Sequence, residues 1–309
     1  MARHKKQHFV PRCYLKSWCD PNCPSEQTPY IWLFQRGELT GRKKSPENVF
    51  HSSDMYTLNM PDGSRDLTIE YSFGGIEDRF TRIRNSKLSK HRDLSVEDHA
   101  WLNIFISAMH ARTKKSIGRM SEQWQKPLDM IEQMEAAYEN ADAEKKKRME
   151  RSPSLPLTEE QDKIYKEDIQ AMVNDPVSLL MVPAIQAQAP LISELDLTVL
   201  CTESRPGFIT SDHPCIWFDP ESFKRPKMYQ APALMYDSIE ISLPISPRQC
   251  ILLNRRGQCG YRHVPVKAVE EINRRTRFGA HEHYVSCSDK SNPYWFYVGE
   301  RNKIPGQAF

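Results

Sequence analysis

No run of apolar residues in this 309-residue chain approaches the roughly eighteen that a membrane-crossing helix needs, so no membrane span is expected. The N-terminal stretch MARHKKQHFVPR is basic, but no apolar core of signal-peptide length follows it. Export by that route is not expected, and the chain reads as cytoplasmic. Paired Cys-x-x-Cys knuckles are missing too. The eight cysteines of a chain this long do not form a disulfide framework, and free thiols are the expectation. Cys13, Cys19 and Cys23 lie close together, but intervals of five and three residues do not give the paired spacing of a structural zinc site. Cys201, Cys215, Cys250 and Cys287 sit in or beside apolar strands, where cysteine acts as a small hydrophobe. There is no Walker P-loop, no Gly-x-Gly-x-x-Gly, no His-Glu-x-x-His, no kinase motif set and no Gly-x-Ser-x-Gly elbow. Ser246, in Pro244-Ile245-Ser246-Pro247, therefore reads as a turn residue and not as a nucleophile. No internal repeat is present.

What is present is an ordinary globular composition, 39% hydrophobic and 27% charged, with enough length for one large domain or two small ones. The net charge of +3 does not indicate a globally basic nucleic-acid binder and leaves only local patches open.

Patterning predicts the elements. A short helix starts near Pro11 and buries Tyr14, Leu15 and Trp18. Short strands follow at residues 31–34 and 54–59. Residues 66–88 read as helical, with a kink or break at Gly74-Gly75. Ser95-Val96-Glu97-Asp98 is a capping box that opens the longest helix, which has Pro127 as its expected break. Residues 139–157 form a charged connector, and residues 158–174 and 176–188 read as further helices. From residue 197 the character changes to strands at 198–202, 207–210, 239–243, 249–254, 282–286 and 294–298. A helix at 266–276 lies among them. This order predicts an α+β fold. A mixed, largely antiparallel sheet is built from N- and C-terminal segments, and a helical lobe comes from the middle of the chain. One composite domain over 1–309 is expected, comprising 1–65 as N-terminal helix and strands, 66–190 as helical lobe and 197–300 as the sheet-rich part.

Several segments, in order, resemble the DUF4238 family, a group of uncharacterised proteins found mainly in bacteria. They are His8-Phe9-Val10-Pro11 with Tyr14-Leu15, Ile69-Glu70, Ile76-Glu77, residues 105–113 ending in Arg112-Thr113, Thr210-Ser211-Asp212-His213-Pro214, residues 243–247, and Ile272-Asn273 followed by Ala280. One departure stands out. Lys114 follows Arg112-Thr113 where proline is expected, so the helix is expected to run on. The resemblance implies no established activity. It marks His8, Glu70, Glu77, Arg112, Asp212 and Asn273 as the positions of interest.

Each of these has a chemical and a structural reading. The run ending in Ile209-Thr210-Ser211-Asp212-His213-Pro214 delivers a carboxylate and an imidazole to a strand end, where Pro214 stops pairing. Adjacent strand residues point to opposite sides, and Asp212 is chosen as the one facing the site; an Asx turn is its structural role. His8 suits a general base or a metal ligand, or else a bond to the turn entering the first helix. Glu70 and Glu77, seven apart on a helix, share a face about 10–11 Å apart along the axis, too far for one metal ion unless the glycines kink the helix. Arg112 offers a planar fork for phosphate or carboxylate, or a clamp on either glutamate. Asn273 either orients a ligand or braces the Asp212 loop. His281 and His283 share a strand face, as the edge of a zinc site or as exposed strand residues. Arg255-Arg256 and Arg274-Arg275-Thr276-Arg277, with Tyr261 and Phe278 nearby, suit phosphates or a solvated surface balanced by Glu270 and Glu271.

Two functions follow. In the first, His8 (general base), Asp212, Asn273 and Arg112 (charge stabiliser) form the catalytic set of a phosphodiester hydrolase. Glu70, Glu77 and Asp212 would hold a divalent metal, Mg or Mn. A nucleic acid or another phosphate-bearing ligand is then the partner, and a defence or toxin-like role is compatible with the resemblance. In the second, the protein is a non-catalytic binding module. The same residues brace the fold, and the charged helix near 120–150 engages a protein or nucleic-acid partner.

Overall fold

The computed structural model describes residues 6–60, 62–150 and 165–296. Its strands are β1 (Lys6–His8), β2 (Ile31–Gln35), β3 (Arg42–Lys44), β4 (His51–Ser53), β5 (Leu58–Asn59), β6 (Arg65–Asp66), β7 (Asp196–Cys201), β8 (Thr210–Ser211), β9 (Ile216–Phe218), β10 (Glu240–Ser246), β11 (Gln249–Asn254), β12 (Gly260–His263) and β13 (His283–Ser286). The α-helices are α1 (Arg12–Leu15), α2 (Thr68–Ser86), α3 (Val96–Ala111), α4 (Lys114–Glu139), α5 (Ala143–Glu150), α6 (Lys166–Asn174), α7 (Val182–Ser193) and α8 (Val266–Gly279). The fold is α+β. The chain divides into two compact units, one made of residues up to Lys115 and from Ala184 onward, the other of Ser116–Pro183.

The larger unit carries the sheets. A five-stranded sheet runs β12-β7-β11-β10-β9, with only the β12–β7 pair parallel. A four-stranded antiparallel sheet runs β3-β2-β13-β8, so N-terminal β2 pairs along its length with C-terminal β13. The expected joining of the two ends of the chain is found here. Two ribbons, β1-β4 and β5-β6, complete the set.

The first helix packs as its apolar spacing predicts. Tyr14, Leu15 and Trp18 are fully buried. The Trp18 indole donates to the Phe208 carbonyl at 2.9 Å. The Tyr14 hydroxyl lies 2.7 Å from Thr210 Oγ1 and donates to the Pro244 carbonyl. Phe80 of α2 and Phe105 of α3 stack beside Tyr14, their ring centroids 3.8 Å apart. This aromatic core fixes the N-terminal segment onto β8 and β10.

Several local expectations change. Helix α2 runs unbroken through Gly74-Gly75, because both glycines sit on its exposed side with nothing within 4 Å, while Phe73, Phe80 and Ile83 keep the buried stripe continuous. The Ser95 capping box forms with both of its bonds. The helix it opens stops at Ala111, short of the run-on expected at Lys114. The reason is a tertiary contact: the Tyr56 hydroxyl donates to the Arg112 carbonyl at 2.9 Å, using the acceptor a continuing helix would need. Pro127 does not break α4; it lies on an exposed face, where the carbonyl it leaves without an intrahelical donor is open to solvent. Residues 294–296 belong to a 3₁₀ turn (Pro293–Phe296) and not to a strand, and Val298 lies outside the described residues. Strand β12, with sequence GYRH, was too polar to predict.

The smaller unit is helical. Lys166 of α6 bonds Glu135 of α4 at 2.6 Å, and the Ser121 hydroxyl donates to the Val173 carbonyl at 2.9 Å. Leu128, Ile169 and Met181 are its buried apolar residues. Residues 151–157 of the expected connector and 158–164 of the expected helix lie outside the described residues.

Tyr14→Phe removes one hydroxyl from two buried bonds and leaves the Pro244 carbonyl without its donor. The unfolding free energy is expected to fall by about 1–3 kcal/mol at an unchanged denaturant slope, measured by urea titration. An unmoved midpoint would show that these bonds do not hold the N-terminal helix.

Candidate functional site

Asp212 follows directly on β8. The chain bends at Asp212 and His213, and the two side chains meet different elements, Asp212 the segment entering β13 and His213 the end of α3. The Asp212 carboxylate, 5% exposed, accepts three consecutive backbone amides: His281 N–H at 2.7 Å on Oδ1, then Glu282 N–H at 2.7 Å and His283 N–H at 2.9 Å on Oδ2. Its own amide donates to the His283 carbonyl at 3.1 Å. Hydrogen bonds to an ionised acceptor are about twice as strong as neutral ones, so this clamp fixes the entry to β13. On the other side, His213 Nδ1 sits 2.8 Å from Thr113 Oγ1. Its neighbour His110 stacks on Trp217 with centroids 4.2 Å apart. His213 is buried and serves the packing between the α3 end and β9.

A strained turn shapes the N-terminal side. Phe50 has φ 55°, a left-handed conformation that costs a bulky residue about 1–3 kcal/mol. Its carbonyl accepts the Phe9 amide at 2.9 Å and the Val10 amide at 3.4 Å. The His8-Phe9-Val10-Pro11 segment is thereby tied to the turn that leads into His51 and β4.

These two fixed turns meet at an open cleft of about 210 Å³. Phe9, Asn48, Phe50 and His51 line it from the N-terminal segment, and Asp212 with residues 281–283 from the C-terminal segment. Lys44 of β3 and Lys114, the first residue of α4, reach it as well. Both lysines are exposed and make no ion pair among the described residues. Lys114 Nζ lies 5.5 Å from the Phe9 ring centroid. The Glu282 carboxylate stands between two imidazoles, 3.9 Å from His281 Nε2 and 3.7 Å from His283 Nδ1. Burial, Lys6 and Lys114 hold the His51 imidazole below its ordinary pKa.

The remaining predicted residues lie as follows. His8 packs edge-on against His51, centroids 5.4 Å apart, and its Nε2–H donates to the Glu47 carbonyl at 3.2 Å. It is not among the side chains lining the cleft. Arg112, fully buried, pairs with Glu77 at 2.9 Å, donates to the His8 carbonyl and lies 4.3 Å from the Phe73 ring centroid. Burial opposes its charge, but Glu77 and Tyr56 outweigh burial and raise its pKa. It is a clamp under the His8 turn. Asn273 also braces: its Oδ1 accepts the Ile209 amide at 3.0 Å and its Nδ2 donates to the Gly207 carbonyl at 2.8 Å. Glu70 sits in the first turn of α2, and the straight helix keeps it two turns from Glu77. Among the described residues, Glu70, Glu77 and Asp212 do not form a group that could hold a metal ion, nor do His281 and His283 with any third ligand. Cys13, Cys19, Cys23 and the other cysteines are free thiols.

The basic clusters at 255–256 and 274–277 are largely ion-paired. Arg256 and Arg275 meet Glu240 at 2.6 and 2.5 Å, Arg274 and Arg275 meet Glu271, both at 2.8 Å, and Arg255 meets Glu194 at 3.2 Å. On α5, Arg148 pairs with Glu144 within the same helix at 3.2 Å. Lys44 and His51 carried no sequence signal. Each is a polar residue on a short strand, and only tertiary pairing gathers them.

Burial pushes the His8 imidazole down from 6.5 to about 4, opposed by the Glu47 carbonyl and reinforced by His51, Arg12 and Lys6. The unfolded chain therefore takes up this proton first as pH falls. The stability is whole above 6.5 and is lost as pH drops toward 4. The denaturation midpoint is expected to fall from about pH 7 to about pH 5, and His8→Gln is expected to shrink that fall. An equal fall in both proteins would mean that His8 is not the group being protonated.

No single helix among the described residues is long and apolar enough to cross a membrane. No curated protein and no solved structure matches the chain. Residues 6–291 match a family described as a protein of unknown function, spanning both the His8 turn and the Asp212 clamp, and the chain belongs to that family, DUF4238.

Proposed function

We propose that the cleft between the His8 and Asp212 turns binds a phosphate-bearing ligand. One observation carries this reading. Lys44, Lys114 and three imidazoles converge on a single opening whose buried carboxylate, Asp212, is already satisfied by backbone amides. Among the described residues Glu282 is the only other acidic side chain there, and it lies beside His281 and His283. Both carboxylates are thus engaged by the protein, while the two exposed lysines are left to meet a ligand, and that favours an anion. A volume of about 210 Å³ falls below the roughly 300–1,000 Å³ of pockets for drug-sized ligands. It suits one phosphate with the adjoining sugar, and the two lysines act as point charges on its oxygens. Among the described residues no exposed phenylalanine, tyrosine or tryptophan lines the cleft, so bases find no such stacking platform and binding is indifferent to base sequence.

This reading stands closer to the binding module than to a metal-assisted hydrolase. Glu77 is committed to Arg112, and Asp212 to the 281–283 amides. The residues first marked for catalysis hold the two walls of the cleft in place, and the ligand meets a different set.

A labelled single-stranded oligodeoxynucleotide titrated by fluorescence anisotropy tests it. Binding is expected to weaken at least about tenfold in the Lys44→Ala/Lys114→Ala protein, with the salt slope of log K falling by about 0.7 per lysine removed. Lys145→Ala, an exposed change elsewhere, is expected to leave both unaltered. Equal affinity for the wild type and the double variant would refute the cleft as the anion site.

A further inference from the structure

The chemistry of the same cleft goes beyond holding a phosphate. We propose that it cleaves RNA without a metal ion, with His51 as general base, a histidine of the His281/His283 pair as general acid, and Lys44 and Lys114 on the phosphate oxygens. This inference rests on the anion-binding reading.

Three features carry it. First, imidazoles reach the cleft from two segments far apart in sequence: His51 opens β4, and His281 and His283 flank Glu282 at the entry to β13. Acid–base cleavage of a phosphodiester needs two separate proton-transfer groups, one for the attacking oxygen and one for the leaving oxygen. Second, the two sets stand in different electrostatic surroundings. His51 lies near Lys6 and Lys114 and is partly buried, which favours the uncharged ring that a base requires. His281 Nε2 and His283 Nδ1 lie 3.9 and 3.7 Å from the Glu282 carboxylate. One set thus stands beside lysines and the other beside a carboxylate, an asymmetry that lets the two take different roles. Third, both walls are held rigidly, by the Asp212 clamp on one side and the strained Phe50 turn on the other. Fixed geometry is what proton transfer in a transition state depends on.

The class of substrate follows from the nucleophile. Among the described residues no serine lines the cleft, so attack comes from the substrate. RNA carries its own nucleophile, the ribose 2′-hydroxyl, beside every phosphodiester. In the step, His51 takes the 2′-hydroxyl proton and the 2′-oxygen forms a bond to phosphorus. The bond from phosphorus to the 5′-oxygen breaks, and that oxygen receives a proton from the imidazolium. The products are a 2′,3′-cyclic phosphate and a free 5′-hydroxyl. One proton enters the enzyme and one leaves, no electron changes hands, and no water or other reactant is consumed. Asp212 acts as a positioning residue, since it touches the backbone of the acid and not the substrate.

The test uses the full chain in EDTA with three oligonucleotides of one sequence: RNA, its 2′-deoxy form and its 2′-O-methyl form. RNA is expected to be cut, leaving 2′,3′-cyclic phosphate ends, while the other two bind and stay intact. His51→Ala and the His281→Ala/His283→Ala protein are each expected to cut at least about 100-fold more slowly, while affinity for the deoxy strand, to which the imidazoles also contribute, falls by less than about tenfold. A cooperative urea transition reports that each variant is folded; if His51→Ala lacks one, the His281→Ala/His283→Ala protein decides. Binding of the deoxy strand with no cleavage of RNA overturns this inference and leaves the anion site standing. Loss of binding to every strand overturns both. Cleavage that needs added Mg or Mn, cleavage of the 2′-O-methyl strand, or full activity in both histidine variants also refutes the proposal.

Discussion

The Asp212 carboxylate is the constraint on which the site depends. It lies at the end of a two-residue strand and is almost fully buried, so its charge needs partners. It finds three, the amides of residues 281–283, which are successive in the chain. That single side chain therefore fixes the backbone of a whole turn and aims its imidazoles. The site also inherits its position from the sheet: β8 pairs with β13, and β13 pairs with β2, so one clamp joins elements from both ends of the chain.

Arg112 performs the matching task on the N-terminal side. A buried guanidinium is tolerable only with a carboxylate and further acceptors close by, and Glu77 and the His8 carbonyl supply them. Phe73 and Tyr56 cover its face. The His8 turn is held in turn by the carbonyl of Phe50, and the strain of that residue is sustained because Phe9 and Val10 both use the acceptor it presents. The residues with the most distinctive sequence context thus build the walls. The groups that face a ligand are exposed lysines and histidines.

This division explains what was legible beforehand. The Ser95 capping box, the buried stripe of Tyr14, Leu15 and Trp18, and the strand end at Asp212 are local patterns, and they form as read. Local patterns misled where context decided. Gly74-Gly75 looked like a kink, yet an exposed helix face tolerates glycine when the opposite stripe is continuous. The end of α3 had no stop signal, because the Tyr56 hydroxyl that terminates it comes from another part of the chain. Lys44 and His51 were silent for the same reason: a polar residue on a three-residue strand has no periodicity to stand out from. His281 and His283 were visible as a pair, but their neighbours across the cleft were not.

Amide hydrogen exchange in an Asp212→Asn protein tests the clamp most directly. The carboxamide keeps one acceptor oxygen and turns an NH₂ group toward backbone donors, so at least one charge-assisted bond is lost. Exchange at the amides of His281, Glu282 and His283 is expected to quicken by about tenfold or more, while amides of β7, β10 and β11 keep their wild-type protection. Unchanged exchange at those three amides would contradict the clamp, and with it the account of how the two ends of the chain build one site.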